Sequence, residues 1–185
     1  MDSAAENDLR RAAEGGDLAA INQLAGALLG RREYSEAEIW LDQAACLGDS
    51  SALTNLGALI SKRDPERAER YLRQAAAAGD RLAMHNLGCL LEEQSRDEAP
   101  TWYLKAAQRG YPGSMYNLAM IMKSQRPTEA KRWLSWAARE GSADSMFALA
   151  HMLEDSDPAA AEHWYRRAAE AGHSGVAAAS GSIPG

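Results

Sequence analysis

One short pattern recurs six times along this chain: AAEGG at 12–16, AACLG at 44–48, AAAAG at 75–79, AAQRG at 106–110, AAREG at 137–141 and AAEAG at 168–172. Successive closing glycines are 32 residues apart once and 31 residues apart four times. A fixed period of this length is the mark of a solenoid, in which each unit contacts only its neighbours. Two further signatures keep the same register. INQLAGALL, LTNLGALI, MHNLGCLL, MYNLAMIM and MFALAHML follow the first five glycines, and AEIWLDQAA, AERYLRQAA, APTWYLKAA, AKRWLSWAA and AEHWYRRAA precede the last five.

The punctuation makes each unit a pair of helices. Asp17, Asp49, Asp80 and Ser142 follow the glycines and are residues able to cap free backbone N–H groups at the start of the first helix. Asp64-Pro65, Arg126-Pro127 and Asp157-Pro158 open second helices, with proline in the first turn where no hydrogen bond is lost. The recurring glycine closes the pair by adopting the left-handed conformation. High alanine favours helix throughout, and no strand pattern competes. The units predicted are 17–48, 49–79, 80–110, 111–141 and 142–172, preceded by a capping helix over 3–14, making one repeat domain over 1–173. Residues 174–185 begin a sixth unit without its core signature, and a short helix and flexible tail are expected there.

A unit of the form GDxxAxxNLGxLL followed by AxxWYxxAAxxG resembles the Sel1-like repeats of the tetratricopeptide superfamily. The resemblance covers roughly residues 10 to 173. It implies an all-α fold, a right-handed α–α superhelix of about five and a half helix–turn–helix repeats, whose first helices line a concave surface that binds peptides or partner helices. The loop between the two helices is shorter here than is usual in that family, as in SKRD at 61–64.

Bulk properties narrow the function classes. With 46% apolar and 25% charged residues the composition is that of a folded, soluble chain. The net charge of -6 comes from intermixed acids and bases without a basic run, so nucleic acid is not the expected partner. No apolar run approaches the roughly 18 residues needed to span a bilayer, and MDSAAENDLRRAAEGG is charged where a signal peptide is apolar. No membrane association and a cytoplasmic location are expected. Cys46 and Cys89 are too few for a disulfide framework and are expected to be reduced.

Counting each first helix from its preceding glycine, positions 4, 5, 8, 9, 11 and 12 are small or apolar and fill one stripe, which is core. The small residue at position 9, such as Gly57 or Gly88, lets the two helices of a pair approach closely. On the second helix Trp40, Tyr71 and Trp102 recur beside buried alanines. One large ring per unit wedged between neighbouring helices accounts for them better than a stacking platform for bases or sugars.

Positions 6, 7 and 10 lie on the opposite side and differ between units. Position 6 runs Asn22, Thr54, His85, Tyr116, Phe147; position 7 runs Gln23, Asn55, Asn86, Asn117, Ala148; position 10 runs Gly26, Ala58, Cys89, Met120, His151. The candidate binding surface is therefore His85, Asn86, Cys89, Tyr116, Asn117, Met120, Phe147 and His151, with Asn55. Helices pack roughly 8–10 Å apart and an extended chain advances roughly 3.3 Å per residue, so a bound peptide would meet a new repeat about every third residue. The amides offer a donor and an acceptor to such a backbone. They equally suit hydrogen bonds to the neighbouring repeat, and both readings stand.

His85 and Cys89 share a helical face, as a metal pair or a thiolate with its base would need. A pair of ligands is not a metal site, and no orienting group or oxyanion hole accompanies a catalytic pair. The expectation is a non-enzymatic interaction module or adaptor for a protein or peptide, with no metal and no cofactor. A self-assembling scaffold, joined through the C-terminal end and the convex face where Leu104 and Trp136 replace polar residues, is the alternative. A metal- or thiol-dependent activity at His85 and Cys89 is the third.

Overall fold

The closing glycines behave as their sequence context requires. Gly16, Gly48, Gly79, Gly110, Gly141 and Gly172 all take positive φ, between +77° and +96°. A side chain at such φ meets its own backbone, so the position that reverses the chain belongs to glycine. Between these stops the computed structural model describes residues 3–94 and 96–174, and every regular element among them is an α-helix.

The helices are α1 (Ser3–Glu14), α2 (Leu18–Gly30), α3 (Tyr34–Cys46), α4 (Ser50–Ile60), α5 (Pro65–Ala77), α6 (Arg81–Glu93), α7 (Ala99–Gln108), α8 (Pro112–Met122), α9 (Pro127–Arg139), α10 (Ala143–Leu153) and α11 (Pro158–Glu170). The caps are those the sequence predicts. The backbone N–H groups of Ala19 and Ala20 donate to Asp17, that of Ser51 to Asp49, those of Leu82 and Ala83 to Asp80, and that of Ser145 to Ser142. Pro65, Pro127 and Pro158 each open a second helix. The partial sixth unit expected from residue 174 lies almost wholly outside the described residues.

Two compact units divide the chain, one holding α1 to α6 and the other α7 to α11. In the first, each helix packs on the next, and α4 also touches α6. Its core takes Ile21, Leu24 and Leu28 from α2, Leu41 from α3 and Leu56 from α4, with Trp40 and Tyr71 packed against them from one side. Gly57 shows why position 9 is small: a Cβ there would lie 2.5 Å from Leu72 Cγ on α5. In the second unit, consecutive helices again pack together, around Leu134 of α9 and Met146 and Leu149 of α10. Trp133, Trp164 and Tyr165 lean on that core half-buried, and Tyr103 on α7 is fully buried. The recurring rings are thus packing elements.

Adjacent second helices of the first unit are also joined by charge. Counted back from each closing glycine, the tenth residue is Glu6, Glu38 and Glu69, and each meets an arginine from the inter-helix loop of the next repeat. The pairs are Glu6 with Arg31 at 2.8 Å, Glu38 with Arg63 at 2.5 Å and Glu69 with Arg96 at 2.7 Å. Arg67 adds a bridge from α5 to Glu38 and Asp42 of α3, each at 3.1 Å, while the Tyr71 hydroxyl donates to Asp42 at 2.9 Å. Arg10 of α1 pairs with Glu36 of α3 in the same geometry with the charges reversed.

Candidate first-helix binding face

The candidate residues of the first unit are on α4 and α6. Asn55 is exposed, and Asn86, His85 and Cys89 are half-buried one turn apart on α6. Cys89 Sγ lies 3.6 Å from His85 Nε2, and burial pushes the His85 pKa below its ordinary value. Among the described residues no cluster of three or more His, Cys, Asp or Glu side chains has the arrangement of a metal site. Beside them Ala58, Asn86, Cys89 and Glu93 line a cleft of about 210 Å³ between α4 and α6, with Leu72 and Leu90 behind.

In the second unit, Tyr116, Asn117 and Met120 are half-buried on α8. Tyr116 and Met120 pack against the core formed by α9 and α10. Phe147 on α10 is held more firmly: its ring stacks on His173 at 4.4 Å and meets Tyr165 edge-on at 5.3 Å. His151 is exposed and pairs with Glu154 at 2.9 Å. The same carboxylate accepts from the Tyr165 hydroxyl at 2.5 Å, and the two contacts, Tyr165 first, hold the Glu154 pKa down.

The amide column stands apart from the others. Among the described residues the side chains of Asn55, Asn86 and Asn117 enter no hydrogen bond within the chain. Three repeated donor–acceptor groups therefore sit on first helices with their capacity unspent.

Position 6 has a second role that periodicity alone did not reveal. Asp49 caps α4 with one carboxylate oxygen and accepts from the Asn22 amide of α2 with the other. Asp80 caps α6 and accepts from the Thr54 hydroxyl of α4 at 2.6 Å. Thr54 is 2% exposed, so it faces the next repeat rather than the open side. Where the next cap is no longer Asp, position 6 ceases to be a small donor, and Phe147 meets His173 in place of a carboxylate. Comparing position 6 of one unit with the cap of the following unit would have exposed this pairing in the sequence.

The Sel1 repeat profile matches residues 18–49, 50–80, 81–111 and 143–173, which is well over half of the chain. Residues 112–142 lie between the third and fourth matches, yet form the same kind of helix pair as α8 and α9. Among solved structures, the chain resembles c5321, a protective antigen of uropathogenic Escherichia coli with an SLR fold, at 25% identity and TM-score 0.82, over 91% of this chain and 41% of that one. It resembles a Sel1 repeat protein from Oxalobacter formigenes at 27% identity and TM-score 0.65, over 90% of this chain and 55% of that one. The chain thus spans about two fifths and about half of the lengths of these two proteins. YrrB, described as a tetratricopeptide repeat protein with an unusual peptide-binding site, shares the fold at 16% identity and TM-score 0.57, over 95% and 98% of the two chains. No curated protein is detectably similar in sequence. No helix among the described residues is long and apolar enough to cross a membrane. The caps, the glycine stops, the helix-pair packing and the profile agree, and the chain belongs to the Sel1 repeat family.

Proposed function

We propose that each unit binds an extended segment of a partner protein on its own first-helix face, the chain acting as an adaptor. Repeat folds of the Sel1 and tetratricopeptide kind are in general protein-interaction modules. The observation that carries the finer reading is the amide column. Asn55, Asn86 and Asn117 repeat at one position, and none of the three side chains is spent on holding the described fold together. Within the first unit Asn55 and Asn86 stand one repeat apart on the touching helices α4 and α6, which suits the alternating C=O and N–H groups of an extended backbone, and Asn117 offers the same group in the second unit. The cleft at Asn86 and Cys89 gives a partner side chain a place beside that backbone, and Tyr116 and Met120 offer apolar contact in the second unit. Phe147 and His151 border that contact but are already engaged by His173 and Glu154.

The test begins with random peptides displayed on phage and selected against the intact chain. The triple variant Asn55→Ala/Asn86→Ala/Asn117→Ala should keep the wild-type melting temperature, because no internal hydrogen bond is removed. It should bind the selected peptides at least about tenfold more weakly, the equivalent of about 1.4 kcal/mol. Equal binding by a folded triple variant sinks the proposal.

A further inference from the structure

The seam between α9 and α11, on the face opposite the first helices, departs from the seams of the first unit. Between α3 and α5 the gap is closed by Glu38 and Asp42 on one helix and Arg67 and Tyr71 on the other. The corresponding residues between α9 and α11, counted back from the closing glycines, are Lys131 and Ser135 on one side and Ala160 and Trp164 on the other. Both carboxylates are gone, and so is the arginine that spanned the gap. The loop arginine of the earlier repeats is also replaced, since Lys131 reaches the hydroxyl of Ser156 at 3.4 Å instead of an opposite charge.

What remains is an open cleft of about 550 Å³, within the roughly 300–1,000 Å³ range of ligand-binding clefts. Its floor is Leu149 and Leu153 of α10, and its walls carry Trp136 and Trp164. Trp136 is 44% exposed although it is among the most apolar side chains of the unit, and its ring is braced by stacking on Trp133 at 5.6 Å. Lys131, Arg132 and Arg139 line the same cleft. Among the described residues neither Arg132 nor Arg139 has a carboxylate or hydrogen-bond partner. This is the reverse of the chain as a whole, in which 26 acidic residues outnumber 20 basic ones.

We infer that this cleft docks an acidic segment of a partner protein, one that carries an apolar or aromatic side chain between its carboxylates. The carboxylates would complete the pairs that Glu38 and Asp42 make inside the chain at the α3–α5 seam. The apolar side chain would cover Leu149 and lie against Trp136, a rigid ring of the type that dominates binding hot spots. Arginine suits the task because its planar fork receives a carboxylate in two parallel hydrogen bonds. A nucleic-acid strand fits less well: the basic lining is limited to Lys131, Arg132 and Arg139 and is bounded by Glu129 in the adjoining hollow, too short a run to follow a continuous phosphate backbone.

The probes are short peptides of Asp and Glu with a central Leu, Phe or Trp, set against the same peptides with Gln and Asn in place of the acids. Binding to the intact chain is read by titration calorimetry. The acidic peptides should bind, and the amide versions at least about tenfold more weakly. Raising NaCl from about 0.05 to about 0.5 M should weaken the acidic peptides by screening. Arg132→Glu/Arg139→Glu should lose at least about tenfold in affinity while keeping its melting temperature, since both side chains are free of internal partners. Trp136→Ala should lose a similar factor. The Asn55→Ala/Asn86→Ala/Asn117→Ala variant should retain wild-type affinity for these peptides, which separates this site from the first-helix face. Four outcomes overturn the inference: no binding by any acidic peptide, equal binding of the amide versions, wild-type affinity in the double charge reversal, or tighter binding of single-stranded oligothymidylate. Self-association of the chain that Trp136→Ala abolishes also overturns it, because the occupant is then a second copy.

Discussion

Gly57 and Gly26 form an internally controlled experiment on how close the helix pair must pack. Both lie inside first helices, α4 and α2. Replacing glycine by alanine in an open helical position should stabilise by up to about 1 kcal/mol, because alanine loses less backbone entropy on folding. Gly26 is such a position, with no atom within 4 Å of an added Cβ. At Gly57 the same methyl group would lie 2.5 Å from Leu72 Cγ, 2.7 Å from Leu72 Cδ2 and 3.3 Å from the Ala68 carbonyl oxygen. Carbon atoms in contact prefer roughly 3.5–4.0 Å, so about 1 Å of clearance must be found. Leu72 is 1% exposed and the other near atom is backbone, which leaves little room to yield. Overpacking of this kind costs about 1–3 kcal/mol. The propensity gain is common to both substitutions and cancels in their difference. Gly57→Ala should therefore be less stable than Gly26→Ala by about 1–3 kcal/mol, or roughly 2–12 °C in melting temperature for a chain of this size. Urea unfolding followed by circular dichroism measures it, with comparable slopes as the check that the unfolding reaction is unchanged. Equal stabilisation by the two substitutions would falsify the claim that position 9 is small for packing.

Thr54→Val keeps the shape of the buried side chain but removes the hydroxyl that donates to Asp80, and it should cost about 1 kcal/mol in the same urea assay. Arg32 holds a left-handed backbone at φ +63° without the freedom of glycine, so Arg32→Gly should raise the melting temperature, by up to about 1 kcal/mol in stability. The Glu6 pKa is pulled down to about 2, first by its hydrogen bonds to Arg31 and then by those to Arg10. A depressed folded pKa contributes stability above the unfolded value near 4.5 that is lost as pH falls toward 2, so Glu6→Gln should flatten the acid limb of a melting-temperature profile over that window. Burial lowers the His85 pKa, so the unfolded chain takes up its proton first and stability should begin to fall as pH drops through about 6.5; His85→Asn should remove that part of the slope.

The features legible in the sequence are those that each unit needs separately. Asp17, Asp49 and Asp80 cap their own helices, the glycines close them, and Leu24, Leu56 and Leu87 fill the same place in the core three times over. Each such requirement is local, so it is rewritten in every repeat and periodicity reveals it. The contacts that periodicity concealed join different positions of adjacent units. Asn22 reaches Asp49 and Thr54 reaches Asp80, each pairing position 6 of one unit with the first residue after the glycine in the next. Read down a single column, these residues simply vary. The change from Asn22 and Thr54 to Phe147 looks like a ligand surface emerging, although at Phe147 the ring is occupied by His173 and Tyr165.

That distinction also decides where selectivity can reside. A column position tied to the next unit answers to that unit's cap: lose the Asp49 or Asp80 carboxylate and the donor opposite it loses its purpose. Its variation is structural bookkeeping and carries no information about a partner. A column with no tie is free to answer to something outside the chain. Asn55, Asn86 and Asn117 repeat one residue type without spending it internally, which suits a contact indifferent to partner sequence. Arg132 and Arg139 do the opposite, standing unpaired beside a seam whose counterpart in the first unit is closed by carboxylate–arginine pairs. On these two proposals a backbone-reading surface would supply affinity with little discrimination, whereas unpaired cations against an exposed tryptophan would disfavour any segment that lacks either acid or apolar groups. A partner that used both faces would gain affinity from the first and identity from the second, and a partner deprived of its acidic segment would keep binding while losing its advantage over competitors.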